Sequence, residues 1–580
     1  MKLLRIALAQ MNFTVGDITG NVSIIVQAIK QAKKVSSDII AFPELAITGY
    51  PPEDLLLKHQ FIQDNHAALS KVKKHVNGIT AIVGFVDKKD ALFNAAAILH
   101  NRKVVDIYHK KYLPNYGVFD EYRYFRPGMR VPVYKIGDAW IGVNICEDIW
   151  YPEGPSRSQA DAGADVIINI NASPYHIGKG VFREKMLSKR ASENNVVIVY
   201  VNTVGGQDEL VFDGHSVVVD QAGRIVTRGK QFQSDLVFID IELPDRQRGV
   251  QAAKRRRKGI KTTGETEVEQ IDICKPRLSR KKRTVTYQPP KRIKKLMDAL
   301  EEIYTALVLG TSDYVAKNRF KGVVIGMSGG IDSSLVASVA VDALGSENVT
   351  GLFMPSRYTS RESRVDSYAL AENLNMNMKK VPIDRIFESY LESFKKEFKG
   401  MPVDTTEENI QARIRGNILM AYSNKFGWLV LATGNKSEMS VGYATLYGDM
   451  AGGFAVIKDV PKTRVYELCR WRNRKAGWEM IPKRMFLKEP SAELKPNQKD
   501  SDRLPPYPVL DPILKAYIED DMSYREIMSD GFSENTVADV IRMIDRSEYK
   551  RRQSPPGIKI TERAFGRDRR FPITNKYKGF

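Results

Sequence analysis

Cysteine is scarce. Cys146, Cys274 and Cys469 are the three in 580 residues and lie far apart, which fits neither a disulfide framework nor a zinc site and points to a reducing, cytoplasmic setting. Long apolar runs are missing too. None approaches the roughly 18 residues of a membrane span, and the opening MKLLRIALAQ runs straight into strand-like sequence without signal-peptide architecture. Acidic residues are outnumbered, 69 against 89 basic ones, for a net charge of +20. That excess fits a nucleic-acid partner, polyanionic small substrates, or a basic linker that inflates the total. No convincing internal repeat is found. The remaining composition, 43% hydrophobic and 27% charged, is that of a globular protein, and the length implies two to four domains.

Against these absences one stretch stands out: GMSGGIDSS, Gly326 to Ser334. KGVVIG before it is of strand type; IDSSLVASVAVDAL after it has helical apolar spacing, with Gly345 as a stop. The loop therefore joins a buried strand to a helix N-terminus. Gly329 and Gly330 let a ligand approach the backbone, and Ser328, Ser333 and Ser334 add hydroxyls to the free N–H groups and positive dipole end of the helix. This is a cradle for phosphate, but no GK[ST] follows, so it is not a Walker A loop. Asp332 stands where that lysine would be, and a carboxylate beside phosphates calls for a cation between them, Mg²⁺ being the usual one. SGGIDS resembles the loop of the pyrophosphate-loop ATPases, which implies cleavage of ATP between its α- and β-phosphates to adenylate a substrate.

Along the chain, strands are expected at 3–9, 37–42, 79–86, 95–99, 141–146, 166–171, 196–202 and 216–219, with helices at 21–34 and 183–194. This describes an α/β domain over residues 1–245. From about Asp245 the periodicity collapses. KRRRK at 254–258, RKKR at 280–283 and a closing QPPK read as a solvated basic linker over 246–290, with a nucleic-acid contact as the alternative. Periodicity returns with a helix over 293–314 and strands at 349–354 and 428–432. Residues 291–580 are thus expected to form a second α/β domain of doubly wound type.

Three stretches of the first domain lie at expected strand ends, where α/β proteins keep their sites. FPEL carries Glu44, YHKKYLPNYGVFDEYRYF carries Lys110 and Lys111, and GVNICEDIW carries Cys146. A strand-end thiol beside a carboxylate and a lysine suggests a nucleophile, a proton carrier and an oxyanion partner. Together the stretches resemble the nitrilase (carbon–nitrogen hydrolase) superfamily, over roughly residues 1–243. That resemblance implies an αββα sandwich and a catalytic triad of Glu44, Lys110 and Cys146. Lys110 is chosen over Lys111 because the family lysine lies three positions before the leucine of a Leu-Pro, here Leu113. The family's additional glutamate falls on Glu121 or Glu147. NASPYHIGKG is the form of the glutaminase branch, which implies glutamine held by Tyr116, Ser173 and Lys179, and His176 is read as a loop histidine.

In the second domain, TGNKSEMSVGYATLYGDMAGGFAVIKDVPKT follows a strand. Thr433 and Gly434 are small enough to border a base or ribose, Glu438 is a candidate second Mg²⁺ ligand, and Lys436 and Lys458 are candidate phosphate partners. With ENIQARIRGNILM, LPPYPVLDPIL, EYKRRQSPPGIKIT and AFGRDRRFP, the stretch resembles the NAD synthetases from about residue 293 onward. That resemblance implies an adenine nucleotide α-hydrolase-like fold. It also implies ATP at Gly326, Met327, Ser328, Gly329, Gly330, Ile331, Asp332, Ser333 and Thr433, Mg²⁺ at Asp332 and Glu438, and deamido-NAD at Asn409, Glu438 and Lys550.

A thiol amidase releases ammonia, and an adenylating domain needs a nitrogen nucleophile. One chain with both resembles the glutamine-dependent branch of the NAD synthetase family. The resemblance implies deamido-NAD + ATP + glutamine → NAD + AMP + pyrophosphate + glutamate, a sheltered transfer of ammonia, and at least a homodimer through the second domain. The alternatives are a tRNA-modifying enzyme of the SGGxDS type that binds nucleic acid through its basic segments, and another glutamine amidotransferase, such as one acting on xanthylate.

Overall fold

The computed structural model describes residues 2–243, 269–274, 293, 295–577 and 579. The basic clusters at 254–258 and 280–283 lie outside the described residues. The chain divides into two compact units, Met1–Gln207 with Phe212–Met297, and Asp208–Val211 with Asp298–Phe580.

The first unit holds two large sheets. Its strands are β1 (Lys2–Gln10), β2 (Ile39–Ala41), β3 (Thr80–Lys88), β4 (Leu92–His100), β5 (Lys103–His109), β6 (Val133–Ile136), β7 (Ala139–Ile145) and β8 (Val166–Asn171). They continue with β9 (Val197–Asn202), β10 (Val204–Gln207), β11 (Leu210–Asp213), β12 (Val217–Val219), β13 (Ile225–Arg228), β14 (Asp235–Leu243) and β15 (Gln270–Cys274). One sheet has the order β14-β1-β2-β3-β4-β5, the other β13-β12-β9-β8-β7-β6-β15. β1, β2 and β3 run parallel at the centre of the first sheet, and β7, β8 and β9 at the centre of the second.

β1 shows why the layers stack. Side chains alternate along a strand. Leu4, Ile6 and Leu8 face one way and share a buried cluster with Ile141, Val143, Ile168 and Val199 of the second sheet. Ala7 and Ala9 face the other way and pack with Ile25, Ile29, Ala68 and Leu69. The last four belong to helices Ile18–Lys34 and His59–Lys73. On the far side, Leu187 and Ala191 of helix Lys179–Asn194 cover Ile167, Ile198 and Val217. Helix, sheet, sheet, helix is the αββα sandwich.

β15 departs from the expectation of an unbroken linker. It pairs parallel with β6, from Gln270 opposite Val133, and Ile271 and Ile273 pack against the inter-sheet core. Its apolar alternation is too short to register beside the flanking charge. β5 carries little strand signal for a related reason: its first two residues, Lys103 and Val104, are exposed, so it lacks a continuous apolar run.

The second unit is built on β16 (Val323–Met327), β17 (Val349–Phe353), β18 (Asn377–Lys380), β19 (Leu429–Ala432) and β20 (Phe454–Ala455), all parallel, in the order β18-β17-β16-β19-β20. The order reverses at β16, and the crevice beyond that strand is where open α/β sheets bind ligands. The first helix of this unit spans Ala299–Lys317, six residues later than its expected start, because the Asp298 side chain caps it by accepting from the N–H groups of Leu300 and Glu301.

Two candidate active sites

In the first unit, the chain leaving β2 carries Glu44, the one leaving β5 carries Lys110, and the one leaving β7 carries Cys146. Lys110 Nζ donates to Glu44 Oε1 at 2.7 Å and to Glu121 Oε1 at 2.8 Å. Asn94, inside β4, donates to Glu44 Oε1 at 2.7 Å; the backbone N–H of Ala172 holds Glu44 Oε2 at 2.9 Å. Tyr50 donates to Glu121 Oε1 at 3.0 Å. All of these carboxylates and the lysine are buried.

Burial would strip the Lys110 proton, but the carboxylates of Glu121 and Glu44 hold the ammonium well above its ordinary range. Burial pushes Glu121 up, with Lys110 opposing. Cys146 opens a short 3-10 turn with φ +43°, a left-handed conformation that costs a non-glycine residue energy. Burial drives its thiol well above the usual range; Glu44 adds to this and Lys110 counters it. A neutral thiol beside a carboxylate and a fixed ammonium can be deprotonated during attack, and its oxyanion product can be neutralised.

Of the two further glutamates, Glu121 shares the lysine. Glu147 instead accepts from Tyr116 Oη at 3.1 Å, and Lys179 counters the upward shift that burial imposes on it. Tyr116 thus reaches the residue next to Cys146, and the charges of Lys110 and Lys179 act on that same residue. Ser173 follows Ala172, and its N–H donates to Asn202 Oδ1 at 2.9 Å. Lys111 is partly buried, its backbone N–H donating to Asp148 Oδ1 at 3.1 Å. His176 is partly buried in its loop, with Nδ1 at 3.1 Å from the Ile177 carbonyl.

Asp148 is a further functional residue that no sequence pattern marks. It accepts from the N–H groups of Lys111, Tyr112 and Ile145 and from Tyr108 Oη, tying the lysine loop to the cysteine turn. Asn94, a polar residue in the apolar strand ALFNAAAI, was the available signal for the Glu44 contact.

In the second unit a cavity of about 500 Å³ opens beyond β16. Its walls include Gly326 to Ser333, Thr433, Gly434, Asn409, Glu438 and Lys550. Gly329 has φ +77°, and a Cβ there would lie 2.5 Å from the Ser363 carbonyl oxygen, so only glycine fits. Ser328 Oγ accepts from Gly330 N–H at 3.2 Å. Ser334 turns inward instead, to the Gly330 carbonyl at 2.8 Å and Met485 Sδ at 3.1 Å. Asn409 Oδ1 accepts from Thr445 at 2.8 Å. Lys550 Nζ donates to the carbonyls of Gly442 and Ala444 at 2.7 and 2.8 Å.

Two expected phosphate partners are elsewhere. Lys436 is buried against Asp459, Glu519 and Thr561. It lies two positions before Glu438, and residues so spaced do not share a helix face. Lys458 donates to the Pro555 carbonyl at 2.7 Å. The cavity is lined by Lys462 and Lys488 instead. Lys462, in the VPKT stretch, hydrogen-bonds Asp332 Oδ2 and lies 3.1 Å from Glu438 Oε1. Asn435 donates to Asp332 Oδ1 at 2.9 Å and accepts from the Glu438 N–H at 3.0 Å.

Asp332 and Glu438 thus face one point. Among the described residues no group of three or more His, Cys, Asp or Glu is arranged for a metal. Two carboxylates beside a phosphate cradle nonetheless fit Mg²⁺, which commonly takes one or two protein carboxylates plus substrate phosphates and waters. Also among the described residues, no helix is long and apolar enough to cross a membrane.

Comparison with known proteins matches residues 5–249 to the carbon–nitrogen hydrolase family and residues 303–554 to the NAD synthase family. A glutamine-dependent NAD(+) synthetase of Thermotoga maritima is 50% identical over 581 residues, covering 100% of both chains. The chain belongs to the glutamine-dependent NAD(+) synthetase family. The family relative from Aquifex aeolicus is 48% identical, with 99% of this chain and 100% of that one covered. A solved family structure from Acinetobacter baumannii, in complex with ADP, superposes with a TM-score of 0.74 at 40% identity and covers 100% of each chain. Family membership makes this chain an ATP-dependent carbon–nitrogen ligase with glutamine as amido donor.

Proposed function

We propose that the first unit hydrolyses glutamine with Glu44, Lys110 and Cys146, and that the second unit amidates deamido-NAD at the cavity beyond β16. The observation that carries this reading is that one chain presents both a buried Glu44–Lys110 pair beside Cys146 and an SGGIDS cavity with two facing carboxylates.

Glu44 takes the Cys146 proton as Sγ attacks the amide carbon of glutamine, and the Lys110 ammonium meets the oxyanion. Glu44 returns the proton to the departing nitrogen, and ammonia leaves. Water then cleaves the thioester and releases glutamate. Glu121 keeps Lys110 protonated and in place. Tyr116, Ser173 and Lys179 hold the α-amino and carboxylate groups of glutamine.

In the second unit, the loop from Gly326 to Ser333 and the start of helix Ile331–Leu344 hold the phosphates of ATP, with Thr433 beside the nucleoside. Asn409, Glu438 and Lys550 hold deamido-NAD so that its nicotinate carboxylate reaches the α-phosphorus. Pyrophosphate leaves, and ammonia then displaces AMP to give NAD. Mg²⁺, held by Asp332 and Glu438, would neutralise phosphate charge. Pairing with a second copy through this unit belongs to the same proposal and is supported by the exposed apolar residues Tyr390, Phe394, Phe398 and Met420.

ATP–pyrophosphate exchange tests the second half. Exchange is expected with deamido-NAD and not with xanthylate; the opposite pattern removes NAD synthesis. Light scattering of the full chain tests the pairing, a dimer or larger assembly being expected.

A further inference from the structure

Lys462 stands at the first position of helix Lys462–Ala476, directly after Pro461, and its side chain is only 3% exposed. Its ammonium bonds Asp332 Oδ2 and Glu438 Oε1. The other Asp332 oxygen is taken by the Asn435 amide. These two partners of Asp332 differ in kind. Asn435 is fully buried and caps helix Lys436–Val441 through its side-chain oxygen. It is uncharged and anchored, so a cation arriving at Asp332 has no reason to dislodge it. Lys462 is a full positive charge on a flexible four-carbon stem, and it sits on one oxygen of each carboxylate.

An ammonium and a divalent cation compete for those oxygens, because two like charges a few ångströms apart inside a protein repel. The lysine already touches a further partner beside the carboxylates. Its Nζ lies 5.3 Å from the centroid of the Tyr507 ring, and Tyr507 Oη donates at 2.8 Å to Asp500, a third carboxylate of the cavity wall. An aromatic face backed by a carboxylate accepts an ammonium.

We propose that Lys462 is a built-in counter-ion that holds Asp332 and Glu438 together and exchanges with a divalent cation at those oxygens. The proposal rests on the reading of these carboxylates as the magnesium site. Lys462 keeps two like charges neutralised and aligned, and metal entry must first move the ammonium. Metal alone therefore binds weakly. A phosphate chain in the cavity gives the displaced ammonium an anion to meet, which couples metal loading to nucleotide loading.

The test uses the full chain and Mn²⁺ as probe, with free Mn²⁺ read by electron paramagnetic resonance. Lys462→Met and Lys462→Gln both remove the charge, so one variant suffices if the other folds poorly. Without nucleotide, each should bind Mn²⁺ about tenfold or more tighter than the unsubstituted chain, since the binding-competent arrangement no longer competes with the lysine. Adding Asp332→Asn should erase that gain. Affinity unchanged or weakened in both Lys462 variants overturns the exchange, as does a gain that survives Asp332→Asn. The magnesium reading is judged separately, in the presence of ATP. If Asp332→Asn alone leaves ATP-dependent Mn²⁺ binding intact, the metal is not at this site and the exchange falls with it. If Asp332→Asn abolishes that binding but the Lys462 variants show no gain, the exchange alone is wrong.

Discussion

Glu44 and Glu121 share a single ammonium, Lys110 Nζ lying 2.7 Å from one and 2.8 Å from the other. The two carboxylates are not equivalent. Glu44 is also held by the Ala172 N–H and, at 2.7 Å, by Asn94, whereas Glu121 is held by Tyr50 and meets the Asn94 amide only at 3.4 Å. Only Glu44 is assigned the proton transfer. Glu121→Gln should therefore slow glutamine hydrolysis by about 10- to 100-fold, by loosening Lys110, and Glu44→Gln should slow it further by removing the proton carrier. Glutamate release measures both. NAD formation from ammonium should be unaffected in either variant, and equal losses in hydrolysis would contradict the division of roles.

Asp332 supplies a prediction of opposite location. Asp332→Asn keeps the hydrogen-bonding shape but removes the charge that faces the phosphate cradle. Deamido-NAD-dependent pyrophosphate exchange should fall to background while glutamine hydrolysis persists. Full exchange activity in that variant would show that no cation is held there.

Glu184 predicts an acid limb of stability in the first unit. Burial works against its ionisation, but hydrogen bonds from Arg228 and His215 outweigh it and bring the carboxyl down to about 2 from 4.5. A depressed carboxyl stabilises the fold above its unfolded value and loses that contribution as pH falls toward the folded value. Thermal unfolding of the Glu184→Gln chain should thus show a deficit near pH 7, no more than about 2 kcal/mol after solvent screening. The deficit should shrink as pH drops through 4.5 toward 2. A deficit that stays constant over that window would rule out the ionic origin.

Much of this architecture was legible because the chemistry sits where periodicity ends. Glu44 and Cys146 each follow an apolar strand, and GMSGGIDSS separates a strand from a helix with apolar spacing. Their neighbours were harder to see. Asn94 is one polar residue in a strand and Tyr50 one residue of a loop; only the approach of elements distant in sequence shows that both reach the Glu44–Lys110–Glu121 group. Lys436, Lys458 and Lys462 lie within one motif-rich stretch, and their composition is identical. Backbone phase decides which enters the cavity, turning Lys436 toward Asp459 and Glu519 and Lys462 toward Asp332. β15 was hidden for a third reason, its partner β6 lying 137 positions earlier at the first paired residue.

If the two chemistries of this chain are joined only by ammonia, Cys146→Ala separates them. The substitution removes the sulfur proposed to form the thioester and leaves every residue of the second cavity in place. NAD formation from deamido-NAD and ATP should be measured twice on the same folded variant, first with glutamine and then with an ammonium salt. The expected result is glutamine-dependent synthesis at background, a loss of many powers of ten in principle, with ammonium-dependent synthesis retained. Persistence of the glutamine reaction would show that Cys146 is not the nucleophile, and loss of both reactions would contradict the claim that the sites are separable.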